Sequence, residues 1–140
     1  MSPEVTYRKL NLLIKNLDLL KKFKNAPITK LNKHHLEVER LLHLIVEIMG
    51  DINHHIIVKK SATPPKSLKE SFIEMGELGI IHSKLAKDLA PSAGLRNALV
   101  HMYDDIDMSF IQKSIENALK LVPSYIKEVQ NSIFKFPKDV

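Results

Sequence analysis

Residues 30–60, KLNKHHLEVERLLHLIVEIMGDINHHIIVKK, decide the fold because their apolar side chains recur every three or four residues over several turns. This spacing is typical of an amphipathic α-helix that buries one face in a core. The apolar stripe comprises Val38, Leu41, Leu42, Ile45, Ile48, Ile52 and Ile56. The opposite face carries Glu39, His43, Glu47 and Asp51. We expect this polar face to meet water or a partner.

Helical patterns also flank this segment, with proline-containing breaks at Asn25–Pro27 and Ser61–Pro65. The remaining predicted helices are Pro3–Lys24, Ser67–Met75, Ile80–Leu89, Pro91–Tyr103 and Met108–Phe134. The alternating pattern typical of a β-strand is absent from the sequence. We therefore predict an all-α, up-and-down helical bundle in which short helices bridge long ones, forming a single domain over residues 1–140.

The composition is that of a globular protein, with 44% hydrophobic and 26% charged residues. The absence of cysteine excludes disulfides, thiolate metal sites and a cysteine nucleophile, and we expect a cytoplasmic protein. The apolar runs are short and no signal peptide pattern is present, so we expect no membrane association. A net charge of +5 and a pI near 9.4 would attract polyanions such as RNA, although lysines on a solvated helix face are the simpler explanation of the charge.

The segment Arg96–Tyr103, RNALVHMY, combines side chains that can cleave RNA. Asn97 and His101 are four residues apart and share a helix face, and Arg96 flanks that face. Arginine binds phosphate through a rigid fork of donors, and histidine exchanges protons near neutral pH. Together they suffice for attack of a ribose 2′-hydroxyl on the phosphodiester, a route that needs no metal and no cofactor. In the structural alternative, Arg96 pairs with an acidic neighbour and His101 with a backbone carbonyl.

The paired histidines at 34–35 and 54–55 suggest metal binding, but adjacent helical residues point about 100° apart and cannot hold one ion together. Asp51 and His55 have suitable spacing but lack a third ligand nearby in sequence, so we predict no metal site. His54 or His55 could instead line the same cleft as His101.

Three aspartates follow the motif, and a carboxylate pair for hydrolysis or magnesium is one interpretation of them. They are Asp104, Asp105 and Asp107. Asp107 directly precedes the predicted last helix, where an N-cap is favoured, so helix capping is the simpler interpretation. An ion pair between one of these aspartates and Arg96 also stays open.

The string Arg96-Asn97-x-Leu99-Val100-His101-x-Tyr103, with Ile106-Asp107 after it, resembles the R-x4-H-x-Y signature of the HEPN superfamily, in its HepT-like toxin branch. The resemblance extends over nearly the whole chain, including its length, its order of helices and the Gly79-Ile80-Ile81 step before the motif.

The resemblance implies a two-fold homodimer that joins two motifs in one cleft, and a metal-independent endoribonuclease toxin of a type VII-like toxin–antitoxin system (HepT/MntA type). Arg96 and His101 would be catalytic, Asn97 would bind substrate, and the nucleotidyltransferase antitoxin would modify Tyr103 with AMP. A non-catalytic helical module that binds a nucleotidyltransferase partner, or a helical domain that binds nucleotide or RNA, is the alternative.

Overall fold

The computed structural model describes residues 3–101 and 107–135, and every regular element in these two ranges is helical, which confirms the all-α prediction. The helices are α1 Pro3–Leu20, α2 Ile28–Lys33, α3 His35–Ser61, α4 Leu68–Glu77, α5 Ser83–Leu89, α6 Ser92–His101 and α7 Met108–Lys135. A short 3₁₀ turn, Lys21–Phe23, follows α1. For Val100 and His101 the description covers the backbone.

The long helix α3 is the centre of the bundle. All seven residues of its predicted apolar stripe are buried, because α1, α4 and α7 pack around them. In the described part of the chain, α3 is the helix long and apolar enough by length and composition to cross a membrane, but 61% of that stretch is buried inside the domain. Its hydropathy is therefore explained by its place in the core. The apolar residues of α7 between Ile111 and Ile133 pack against the same core.

A buried polar network fixes α3, α4 and α7 relative to one another. The Tyr125 hydroxyl of α7 donates to Asn53 Oδ1 of α3 at 2.6 Å and lies 3.2 Å from the carbonyl oxygen of Met49. Asn53 Nδ2 in turn donates to Ser71 Oγ of α4 at 3.0 Å. Tyr125 and Asn53 are both 0% exposed, so each of these bonds compensates for polar atoms that have lost water.

The prediction of one continuous helix over Lys30–Lys60 is wrong, because the helix is interrupted at His34. This residue has φ −113° and ψ 27°, outside the helical range, and it separates α2 from α3. The segment contains no proline or glycine at this point. The break lets α2 pack against α7 while α3 runs through the core.

The helix predicted over Ile80–Leu89 begins later, at Ser83. Gly79 has φ +75°, a left-handed conformation that ends the preceding turn, and the amides of Ile80 and Ile81 both donate to the carbonyl of Met75, at 3.0 and 3.3 Å. Ile80 and Ile81 are buried although they lie in a connection. Their apolar character continues the periodic pattern of the following helix, which is why the sequence analysis included them in it.

Candidate functional site

Helix α6 carries the first six residues of the motif, Arg96–His101, on the surface of the bundle. It packs on α3 and α4, with Leu95 and Leu99 half-buried against the core. Arg96 and Asn97 are exposed. Among the α6 residues whose side chains the structure describes, none is fully buried. The helix thus presents Arg96 and Asn97 to solvent.

Arg96 forms an ion pair with Glu47 of α3. Arg96 Nε lies 2.7 Å from Glu47 Oε1, and the two side chains are 47% and 35% exposed. Oε1 itself is screened from solvent and makes no hydrogen bond with the described residues, so the guanidinium charge compensates for its burial. An acidic partner for Arg96 is what the structural alternative predicted, and the partner that the described residues show comes from α3. The predicted pairing of Arg96 with Asp104 or Asp105 lies outside the described residues.

A cleft of about 440 Å³ lies beside this ion pair. It is lined by Glu47, Gly50, Asp51 and His54 of α3, by Arg96 of α6, and by Pro65, Ser67, Leu68 and Ser71 at the start of α4. Asp51 is held at the rim by Lys9 at 3.2 Å. The cleft therefore combines a guanidinium, an imidazole, carboxylates and hydroxyls, the kinds of group that recognise phosphate and ribose.

Of the two histidines proposed to face the motif, the structure brings His54 into the cleft with Arg96. His54 is exposed, whereas its neighbour His55 is 8% exposed within the bundle. His101 is the last residue of α6, one helical turn after Asn97, so its backbone stands next to the exposed face of the motif. Its side chain lies outside the described part, as do Tyr103, Asp104 and Asp105.

Asp107 caps α7, as the sequence predicted. Its Oδ1 accepts hydrogen bonds from the Ser109 hydroxyl at 2.8 Å and from the amides of Ser109 and Phe110, at 3.0 and 3.4 Å. These bonds, the one from the Ser109 hydroxyl above all, lower the pKa of the Asp107 carboxyl. Asp107 is therefore occupied in starting α7, directly after the motif.

The paired histidines do not combine into a metal site within residues 3–101 and 107–135, where no group of three or more histidine and carboxylate side chains could hold an ion. His35 instead pairs with Glu39 at 2.8 Å. Two of the clustered lysines are likewise paired, Lys21 with Asp18 at 3.0 Å and Lys22 with Glu37. These contacts favour a solvated, ion-paired surface at the α1–α2 corner over a dedicated RNA-binding patch.

Residues 12–129, the motif included, match the family model described as ribonuclease HepT-like. The chain belongs to this family. A HepT-like relative from Aphanizomenon flos-aquae, named tRNA nuclease HepT, is 37% identical over 142 aligned positions, which cover 99% of this chain and 97% of the relative. A second, from Shewanella oneidensis, is named mRNA nuclease HepT and is 25% identical over 80 positions, covering 57% and 60% of the two chains.

The HepT-like fold is also seen in a solved structure, the tri-AMPylated HEPN toxin of Shewanella oneidensis in complex with MNT antitoxin. The two folds superpose with a TM-score of 0.78 over 89% of this chain and 96% of that one, at 19% sequence identity. This similarity confirms the predicted HEPN-like bundle.

The contact between Glu47 and Arg96 in this HepT-like chain could not be predicted from the sequence. The sequence analysis assigned Glu47 to a polar face that meets water or a partner, whereas in the structure Glu47 contacts Arg96 of α6. The spacing of Glu47 within α3 carries no signal for Arg96, which lies on a distant segment of the chain. The sequence left open whether His54 or His55 lines the cleft of the motif, and the structure places His54 beside Arg96.

Proposed function

We propose that the chain is an endoribonuclease that cleaves RNA without a metal, with Arg96 and His101 as its catalytic residues. The observation that carries this proposal is the full-length, 37% identity to a relative named as a tRNA nuclease. The exposed position of Arg96 beside a polar cleft supports it, because a substrate phosphate can reach the guanidinium from solvent.

In the proposed reaction, the ribose 2′-hydroxyl attacks the adjacent phosphorus and the bond to the 5′-oxygen of the next nucleotide breaks. One proton leaves the 2′-hydroxyl and one is delivered to the departing oxygen, and His101 performs one of these transfers. Arg96 binds the phosphate oxygens and stabilises the negative charge that builds up on them. Asn97, exposed next to Arg96, orients the substrate or the imidazole.

We further propose the biological setting that the family resemblance implies: a cytoplasmic homodimeric toxin, neutralised by a nucleotidyltransferase antitoxin that attaches AMP to Tyr103. The solved structure of a tri-AMPylated HEPN toxin in complex with MNT antitoxin supports this setting. An added nucleotide would bring negative charge and bulk within two residues of His101, where it would repel RNA phosphate. Mass spectrometry after incubation with ATP and the nucleotidyltransferase should find AMP on the wild type and none on Tyr103→Phe.

The test of catalysis is incubation of the purified protein with tRNA and with a messenger transcript, in EDTA. We expect cleavage by the wild type, and a loss on the order of a hundredfold or more in Arg96→Ala and in His101→Ala. Arg40→Ala, which removes an exposed arginine of α3 outside the cleft, is the matched control and should cleave normally. A substrate with 2′-deoxyribose at the cleaved position should resist the enzyme. Unchanged cleavage by both motif variants would refute the assignment.

The second candidate is a non-catalytic module that binds a nucleotidyltransferase. The ion pair between Arg96 and Glu47 favours it, since a purely structural arginine would be paired in this way. A folded wild type that cleaves neither RNA, yet binds the nucleotidyltransferase, would establish this function instead. Binding of RNA that weakens steeply with salt and is insensitive to His101 would indicate an RNA-binding domain.

A further inference from the structure

We propose that Glu47 is a positioning residue for Arg96, holding the guanidinium by its Nε side so that the opposite edge is presented to substrate phosphate. This inference rests on the proposed nuclease function. It begins from one contact, the 2.7 Å separation between Glu47 Oε1 and Arg96 Nε.

The geometry of a guanidinium explains why the choice of nitrogen matters. The group is planar, and one of its two forked edges contains Nε while the other consists of both Nη atoms. A carboxylate at Nε leaves the Nη pair free to bind two phosphate oxygens in a bidentate manner. Arg96 can thus keep its acidic partner and bind a phosphate at the same time.

Burial of the carboxylate oxygen argues against Glu47 acting as a latch that substrate must displace. Oε1 is inaccessible to solvent, and within the described part of the chain its charge is balanced by Arg96. Moving the guanidinium away would leave a buried, uncompensated charge, which is costly. We therefore expect the ion pair to persist when RNA binds.

Helix α3 is packed more firmly in the bundle than α6, and the ion pair connects the two. Glu47 lies between the buried residues Val46 and Ile48 of the core helix α3. Arg96 projects from α6, where none of the described side chains is fully buried. The ion pair joins the two helices. Its effect here is to give a long, flexible arginine one orientation set by the rigid part of the bundle.

The first test measures the ion pair directly, by NMR of the arginine side chains in the full-length protein. The chain has three arginines, so the Nε–H signal of Arg96 can be assigned by its loss in Arg96→Lys. We expect a high order parameter for this N–H vector in the wild type and a lower one in Glu47→Gln, because the ion pair restricts the motion of the guanidinium. Glu39→Gln, the same substitution two turns earlier on α3, should leave the signal unchanged because Glu39 pairs with His35.

The second test is kinetic. In Glu47→Gln we expect kcat for RNA cleavage to fall on the order of tenfold, because the guanidinium loses its orientation in the transition state. KM should stay unchanged or decrease, because a negative charge next to the phosphate has been removed. In an Arg96→Ala background, measured with enzyme in excess, the same substitution should change the rate less than twofold, since it has no guanidinium left to orient.

Each outcome decides the inference. An order parameter that stays high in Glu47→Gln overturns it, and so does an unchanged kcat or an equal loss of rate with and without Arg96. A wild type that does not cleave RNA removes the proposed function, and the spectra then decide alone. In complex with a non-cleavable 2′-deoxy-substituted RNA, an Arg96 Nε–H vector that stays rigid in the wild type and is mobile in Glu47→Gln supports the positioning contact. A vector that is equally rigid in both proteins overturns it.

Discussion

Replacing Tyr125 by phenylalanine should measurably destabilise the bundle, since its hydroxyl joins α7 to the core helix α3. The hydroxyl donates to Asn53 Oδ1 at 2.6 Å, and both residues are 0% exposed. Phenylalanine keeps the ring packed against Phe72 but leaves Asn53 Oδ1 without this donor in a place water does not reach. Stranding one buried acceptor costs about 1–3 kcal/mol, so we expect the free energy of unfolding to fall by about 2 kcal/mol.

The assay is urea denaturation followed by far-UV circular dichroism, at one fixed protomer concentration so that any self-association affects all variants alike. A loss of about 2 kcal/mol corresponds to a decrease in Tm of roughly 6 °C for a domain of this size. Tyr7→Phe is the matched control. Tyr7 is 42% exposed, so its variant should stay within about 0.5 kcal/mol of the wild type. If Tyr125→Phe is as stable as Tyr7→Phe, the network does not hold the helices together.

Three further predictions concern pH and local packing. Burial raises the pKa of Tyr125 well above 10.0. The stabilisation that its protonated hydroxyl provides is complete below pH 10 and is lost at higher pH, because the unfolded chain ionises first. The free energy of unfolding should therefore fall more steeply at high pH in the wild type than in Tyr125→Phe, and equal slopes would contradict this. A methyl group at Gly76 would lie 2.7 Å from the Cβ of Ala86, so Gly76→Ala should lower the free energy of unfolding by about 1–3 kcal/mol in chemical denaturation. Gly94 has open space around it, so Gly94→Ala should be neutral or stabilising. An unchanged stability of Gly76→Ala would mean that α4 and α5 separate easily. The pKa of the Asp107 carboxyl is lowered from 3.8, so the stabilisation by its cap should be complete above pH 3.8 and should be lost as the pH falls through the lowered pKa. Asp107→Ala should lower Tm at neutral pH, whereas Asp107→Asn should retain the Tm of the wild type. Equal Tm values for Asp107→Ala and the wild type would show that the cap is dispensable.

The fold was largely predictable because long helices carry their own signal. The apolar residues that recur every three or four positions in α1, α3 and α7 all lie in the core. The errors concern short-range geometry that periodicity does not encode. His34 adopts a non-helical conformation although no proline or glycine lies next to it. Ile80 is buried in a turn, where its position happens to match the apolar spacing of the following helix.

The candidate site was predictable only in its local part. Arg96, Asn97, His101 and Tyr103 occupy one short string, so a sequence motif can contain them all. The contact with Glu47 depends on how α6 packs across α3, and no spacing within either helix reports that packing. His54 reaches the Arg96 cleft for the same reason, because the cleft lies between elements rather than within one.

The surface position of α6 has a consequence for how the proposed activity can be lost. None of the described side chains of α6 is fully buried, so changes on its exposed face leave the bundle folded. Under selection against the activity, a population should accumulate single substitutions on α6 while the long helices stay intact. The inactive descendants would persist as well-folded proteins with their other surfaces unaltered. Loss of activity and loss of the fold are thus separate evolutionary events in this architecture.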